Sequence, residues 1–168
     1  MNAITHANEL LTVPEGTEIG VSNWTLIDQD MITRFGELTR DIDPLHLDPE
    51  WAVTHGPFGG TTAYGFLTMS MLSFLLRDML EKDLRNVDSG LFLNYGFERM
   101  RLISPVRVNK RIRGRFVAGG IREDKGGRRI KTIHATVEIE GEDRPALVAD
   151  WLSAWVPPAE GGGTRIIS

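Results

Sequence analysis

Between Ala63 and Leu80 the chain is apolar for close to the length of a membrane span, yet Thr68, Ser70, Ser73, Arg77 and Asp78 interrupt it. Polar and charged groups at those intervals are costly in hydrocarbon, so the segment reads as a helix inside a protein and not across a bilayer. From Gly65 to about Leu84 the apolar residues fall on nearly every side, the pattern of a helix enclosed by other structure. Whatever else the chain forms must wrap around it.

The remaining residues can supply that wrapping. Strand-like runs extend from Gly90 to Phe97, Val106 to Ala118, Arg129 to Glu140 and Ala146 to Val156, separated by turns such as Glu123 to Gly127. In the third run Ile133, Ala135, Val137 and Ile139 alternate with Thr132, His134, Thr136 and Glu138, which predicts one buried and one wet face. Upstream, Val21 to Ile27 reads as a strand. Asp28 can cap a helix whose apolar stripe is Met31, Ile32, Phe35 and Leu38 and which stops near Arg40. The stretch Asp41 to Gly60 is rich in Pro and Gly and should be irregular, apart from one short helix begun by Asp48 and Pro49. This order predicts an α+β fold with an antiparallel sheet curled about one long central helix.

With 168 residues and 41% hydrophobic content, one domain is expected, over residues 1–156, with 157–168 as a flexible tail of Pro, Gly and polar residues. The first dozen residues read as a lead-in. A net charge of −4 and a pI near 5.6 provide no field to gather nucleic acid or anionic lipid, and neither nucleic acid nor membrane is expected as a partner. The first thirty residues lack a basic start and an unbroken apolar run, so a cytoplasmic location is expected. The absence of cysteine removes disulfides, thiolate nucleophiles and Cys-based metal centres together.

Chemistry concentrates in Asp41-Ile42-Asp43-Pro44-Leu45-His46-Leu47-Asp48, carboxylates and an imidazole in a segment whose Pro stops a continuing helix. A carboxylate and a neutral imidazole sharing one water can take a proton and return one, which is what hydration of a conjugated double bond requires. Taken singly, each acid also has a structural role open to it: Asp41 as a helix end, Asp43 as the start of an Asp-Pro turn, Asp48 as a helix cap. A metal-ligand reading is the third. As a calcium loop starting at Asp41 it fails, because His46 falls where the sharp-turn Gly belongs and Ala52 where the bidentate Glu belongs.

That segment, with Phe35 before it and Pro57-Phe58-Gly59-Gly60-Thr61-Thr62-Ala63-Tyr64-Gly65-Phe66-Leu67-Thr68 after it, resembles the MaoC-like hydratase family in order and spacing. Asn94-Tyr95-Gly96-Phe97-Glu98-Arg99-Met100-Arg101 and Ser104-Pro105-Val106 look like the next strand of its nodulation-protein-N-like branch. The resemblance covers roughly Val21 to Val156 and implies a hot-dog fold, in which the sheet wraps the central helix. It implies a lyase of the (R)-specific enoyl-CoA hydratase type, acting on a CoA or carrier-bound 2-enoyl thioester without metal or organic cofactor. Asp41 and His46 match the catalytic pair that holds and activates water. Gly65 matches the glycine whose backbone N–H, at the amino end of the central helix, receives the thioester carbonyl, where helix amides stabilise enolate charge. Ser73 aligns with a pocket serine of the enoyl-CoA hydratases.

Two positions depart from the family pattern. Asp43 replaces the usual Asn and adds negative charge beside Asp41; Tyr64 replaces the usual His before Gly65, and its phenol is expected to line the acyl pocket. Asp43, Tyr64 and Ser73 are therefore the candidate pocket residues. A homodimer joined sheet edge to sheet edge is implied, and higher assemblies are compatible with it. The alternatives are a hot-dog thioesterase, which leaves the Asp41 and His46 pairing unexplained, and a non-catalytic acyl-binding protein, to which the two departures lend weight. His6, His55 and His134 read as surface histidines, and Arg107, Lys110, Arg111, Arg113 and Arg115 as a solvated strand face, with contact to substrate phosphates as the other reading.

Overall fold

The structure, a computed structural model, describes residues 9–80, 90–125 and 128–157. The helices are α1 (Glu9–Thr12), α2 (Gln29–Thr39), α3 (Pro44–Leu47), α4 (Pro49–Thr54) and α5 (Gly65–Met79). The strands are β1 (Glu18–Val21), β2 (Thr25–Ile27), β3 (Leu91–Leu102), β4 (Lys110–Glu123), β5 (Arg129–Ile139) and β6 (Leu147–Val156). They form one antiparallel sheet in the order β1-β4-β5-β6-β3, with β2 also paired to β4.

The expected α+β layout is the observed one. Leu67, Leu72 and Leu75 of α5 share a core with Ile112 and Phe116 of β4, Ile133, Ala135, Val137 and Ile139 of β5, and Leu147 and Trp151 of β6. The alternation in β5 directs these residues inward, as its period of two requires, and leaves His134 exposed. Outside, the basic run is paired. Arg113 and Arg115 both reach Glu138, Arg115 also reaches Glu18, and Arg111 is bonded to Glu140. The solvated-face reading therefore holds for these three arginines.

Several boundaries differ from expectation for local reasons. The Val21 to Ile27 run is broken, because Ser22 exchanges hydrogen bonds with Gly114 (2.8 and 2.9 Å) while the Asn23 N–H turns to Asp78 of α5 at 2.7 Å. The strand expected from Val106 begins only at Lys110, since Asn109 adopts a positive φ of 64° and ends the extended run. β3 continues past Phe97 to Leu102, its charged residues being tolerated on an edge strand. The lead-in contains the turn α1, with Leu10 and Leu11 buried. Leu38 is 83% exposed and off the buried stripe, which runs instead through Ile32 and Gly36; it lies about 120° around the helix from Ile32. The expected continuation of α5 to Leu84, His6 and the tail from 158 onward lie outside the described residues.

Among the described residues, α5 has one buried face and one exposed face. Phe66, Ser70, Phe74 and Arg77 recur at helical spacing along its open face, and Phe66 is 67% exposed. Among the described residues no helix is long and apolar enough to cross a membrane.

Candidate active site

The polar loop is built from the end of α2 onward. Arg40 closes the helix in the left-handed conformation at φ 59°, and the Asp41 N–H donates to the Gly36 carbonyl at 3.0 Å, so the chain reverses there. Asp43 is extended, as a residue before proline must be, and its carboxylate accepts from the Leu45 N–H at 2.8 Å. This cap starts α3, the single turn that carries His46. Asp48 ends that turn and caps α4 through the Trp51 N–H at 2.9 Å. Asp43 and Asp48 thus each have a capping task, and Asn would perform the first equally well without the charge.

His46 is held by its ring. Nδ1 lies 2.7 Å from the Thr62 carbonyl oxygen, which can only accept, so Nδ1 carries a proton and, in the neutral ring, Nε2 presents the lone pair. The backbone around the ring is pinned as well. The Gln29 amide donates to the His46 carbonyl at 2.8 Å, and its oxygen accepts from the Thr61 hydroxyl at 2.6 Å. Thr61 and Thr62 are buried, and Thr62 forms an isolated bridge with Arg107. Gln29 and Thr61 went unremarked in the sequence because their interaction spans 32 positions.

Tyr64 is 3% exposed and packs against both members of the expected pair. Its hydroxyl donates to the Asp41 carbonyl at 2.5 Å, and its ring lies 3.9 Å from the His46 ring between centroids. The phenol is directed into the loop. Burial and the charge of Asp41 raise its pKa, that of Asp43 adds to this, and a hydrogen bond with the Asp43 backbone pulls the other way.

Gly65 follows as the first residue of α5, and Tyr64 before it gives the helix no side-chain cap. Amides in this first turn lack intrahelical acceptors, which is the condition for receiving an oxygen with developing negative charge. A Cβ at Gly65 would stand 2.3 Å from Leu102 Cδ1. The bare glycine leaves Leu102 in place beside the amide.

Ser73 is not part of this cluster. It lies two turns down α5, about 12 Å from Gly65 along the axis, and its hydroxyl accepts from Asn94 of β3 at 3.4 Å. With Met69, Leu72, Phe97 and Trp151 it lines a cavity of about 300 Å³ between α5 and β3. The structure therefore brings Asp41, Asp43, His46, Tyr64 and Gly65 near the amino end of the helix and sets Ser73 apart, in the cavity between α5 and β3. Among the described residues no three His, Asp or Glu side chains converge as a metal site. His55 stacks on Trp51, and His134 is bonded to Asp150 at 2.7 Å, both away from the loop.

A six-stranded antiparallel sheet wrapped on one helix, with a polar loop delivered to that helix's amino end, defines the hot-dog class of fold. The chain belongs to the MaoC like domain family, whose pattern matches residues 11–142. It is 43% identical over 138 residues to Nodulation protein N of Rhizobium meliloti, covering 82% of this chain and 84% of that one. It is 35% identical over 146 residues to 3-hydroxyacyl-thioester dehydratase Z of Mycobacterium tuberculosis, covering 87% and 93%. Among solved structures, the (R)-hydratase from A. caviae involved in PHA biosynthesis superposes with a TM-score of 0.66 at 22% identity, covering 84% of this chain and 96% of that one.

Proposed function

We propose that the protein is a hydro-lyase that adds water across the 2,3 double bond of a 2-enoyl thioester, giving the (R)-3-hydroxyacyl thioester, and runs equally in reverse. Membership of the MaoC like domain family and likeness to a 3-hydroxyacyl-thioester dehydratase support the reaction class. The observation that carries the mechanism is the Nδ1 contact of His46 with the Thr62 carbonyl, which leaves Nε2 of the neutral ring as an acceptor, on a ring that shares Tyr64 with the Asp41 turn.

In this reading a water donates one hydrogen bond to the Asp41 carboxylate and the other to Nε2 of His46. As its oxygen bonds to C3, the double-bond electrons move onto the thioester oxygen, which the Gly65 amide receives, and a water proton passes to Asp41. The proton taken by Asp41 then passes through the Nε2 lone pair of His46 to C2. The enolate collapses, both groups return to their starting states, and one water has been added across the bond. The residues need no metal or organic cofactor; CoA or a carrier pantetheine enters only as part of the substrate.

The exposed stripe on α5 and the free edge of β3 support a homodimer in which a second copy covers both. A cytoplasmic location is part of the same proposal. Purified protein with a panel of trans-2-enoyl-CoA substrates tests the activity directly: the conjugated thioester absorbance should fall as 3-hydroxyacyl-CoA accumulates. Release of free CoA with an unhydrated acid would identify a thioesterase instead, and binding without turnover an acyl-binding protein.

A further inference from the structure

We infer that Tyr64 is a positioning residue for the reacting pair, a strut that sets the Asp41 turn and the His46 ring through one side chain, in a space that only glycine at position 36 leaves open. The inference rests on the hydratase reading for its kinetic consequences, but the strut itself rests on contacts within the chain.

The phenolic oxygen holds the Asp41 turn by donating to the Asp41 carbonyl at 2.5 Å. The ring meets His46 at 3.9 Å with planes tilted by 36°, and Phe35 at 5.4 Å with a tilt of 42°. With Tyr64 only 3% exposed, water competes little for the hydroxyl, so the bond keeps its directional value.

Gly36 makes the arrangement possible. A Cβ there would stand 2.4 Å from Tyr64 Oη, 3.0 Å from its Cζ and 3.1 Å from the Asp41 carbonyl oxygen. The closest of these atoms is the hydroxyl, so the space at Gly36 serves the oxygen more than the ring. Phenylalanine would keep the ring and remove the 2.4 Å collision, leaving only the milder approaches at 3.0 and 3.1 Å. Because burial keeps the phenol protonated, it remains a donor throughout the neutral range.

The test compares wild type, Tyr64→Phe, Gly36→Ala and the double variant. Steady-state rates with a trans-2-enoyl-CoA should show kcat down about 10-fold in Tyr64→Phe, with KM within about two-fold and the pH profile of kcat/KM displaced. Gly36→Ala should cost at least as much alone, yet clearly less when added to Tyr64→Phe, where the 2.4 Å collision is gone and only the approaches at 3.0 and 3.1 Å remain. Amide exchange read by NMR needs no substrate: Asp41 and Leu45 should exchange about 10-fold faster in Tyr64→Phe, with β5 unchanged. If Gly36→Ala does not fold, Tyr64→Phe decides alone.

Wild-type exchange in the turn of Tyr64→Phe, or losses at 36 and 64 that simply multiply, would overturn the strut. Failure of the underlying hydratase reading looks different: Asp41→Asn and His46→Gln would then retain full turnover, or wild type would show none, while the exchange result still stands or falls independently.

Discussion

The two ends of the central helix groove are built differently. At the amino end of α5, Tyr64, Thr62, Thr61 and Gln29 tie the Asp41 backbone and His46 into place with part-buried hydrogen bonds of 2.5 to 2.8 Å. Two turns along, Ser73 and Asn94 share one bond of 3.4 Å across an open cavity. Chemistry that depends on placing a water within a fraction of an ångström belongs at the first end. Discrimination between acyl groups, where a methylene is worth only about 1–3 kcal/mol, can be left to the second. The contrast predicts that substitutions at the amino end change turnover and those at the groove change preference.

The largest expected effect is at the reacting pair. His46→Gln and Asp41→Asn should each lower kcat by about 10²–10⁴-fold with the fold retained, measured by enoyl-CoA absorbance and circular dichroism. Next come the supports: Gln29→Leu or Thr61→Val should lower kcat about 10-fold with little change in KM, because each releases one side of the His46 backbone. A larger effect on KM than on kcat would place them in the substrate-binding end. Smaller still, Ser73→Ala and Asn94→Leu should shift the ratio of kcat/KM values between short and long acyl chains by about 10-fold or less, with the best kcat unchanged. Equal losses for every chain length would erase the distinction between the two ends.

The smallest effect lies outside both. Burial alone would raise the pKa of Glu138, but bonds from Arg115 and Arg113 outweigh it and hold the carboxyl below its ordinary 4.5. Its contribution to stability is therefore present above that ordinary value and lost as pH falls through the lowered one. Glu138→Gln should cost about 1 kcal/mol at neutral pH in urea unfolding and nothing once the wild-type carboxyl is protonated, with turnover intact.

Much of the fold could be read from the sequence because the signals are local. Asp28 and Asp48 cap the helices expected of them, the alternation of Ile133 through Ile139 assigns the inner face of β5, and the approach to Gly65 marks the helix start. What escaped is set by tertiary partners. Ser22 and Asn23 look strand-like until Gly114 and Asp78 draw them aside. Leu38 belongs to an apolar stripe by spacing, yet the face that the core selects centres on Ile32 and Gly36. In the site, the motif marks Asp41, His46 and Gly65 as one constellation, and the contacts observed between them run through Tyr64, to the Asp41 carbonyl and the His46 ring. Tyr64 was expected to face an acyl pocket, and only its burial and its bond to a carbonyl 23 positions away show the phenol directed at the loop. Gln29 carries no sequence signal at all, since a glutamine at the start of a helix is ordinary.

The most direct test of the account follows the oxygen. Wild type turning over a trans-2-enoyl-CoA in water enriched in heavy oxygen should place the label in the C3 hydroxyl of an intact thioester, seen by mass spectrometry, and Asp41→Asn should place almost none. Label in the carboxylate of a released acid, or a variant that labels C3 as fast as wild type, would contradict water activation by the Asp41 and His46 pair.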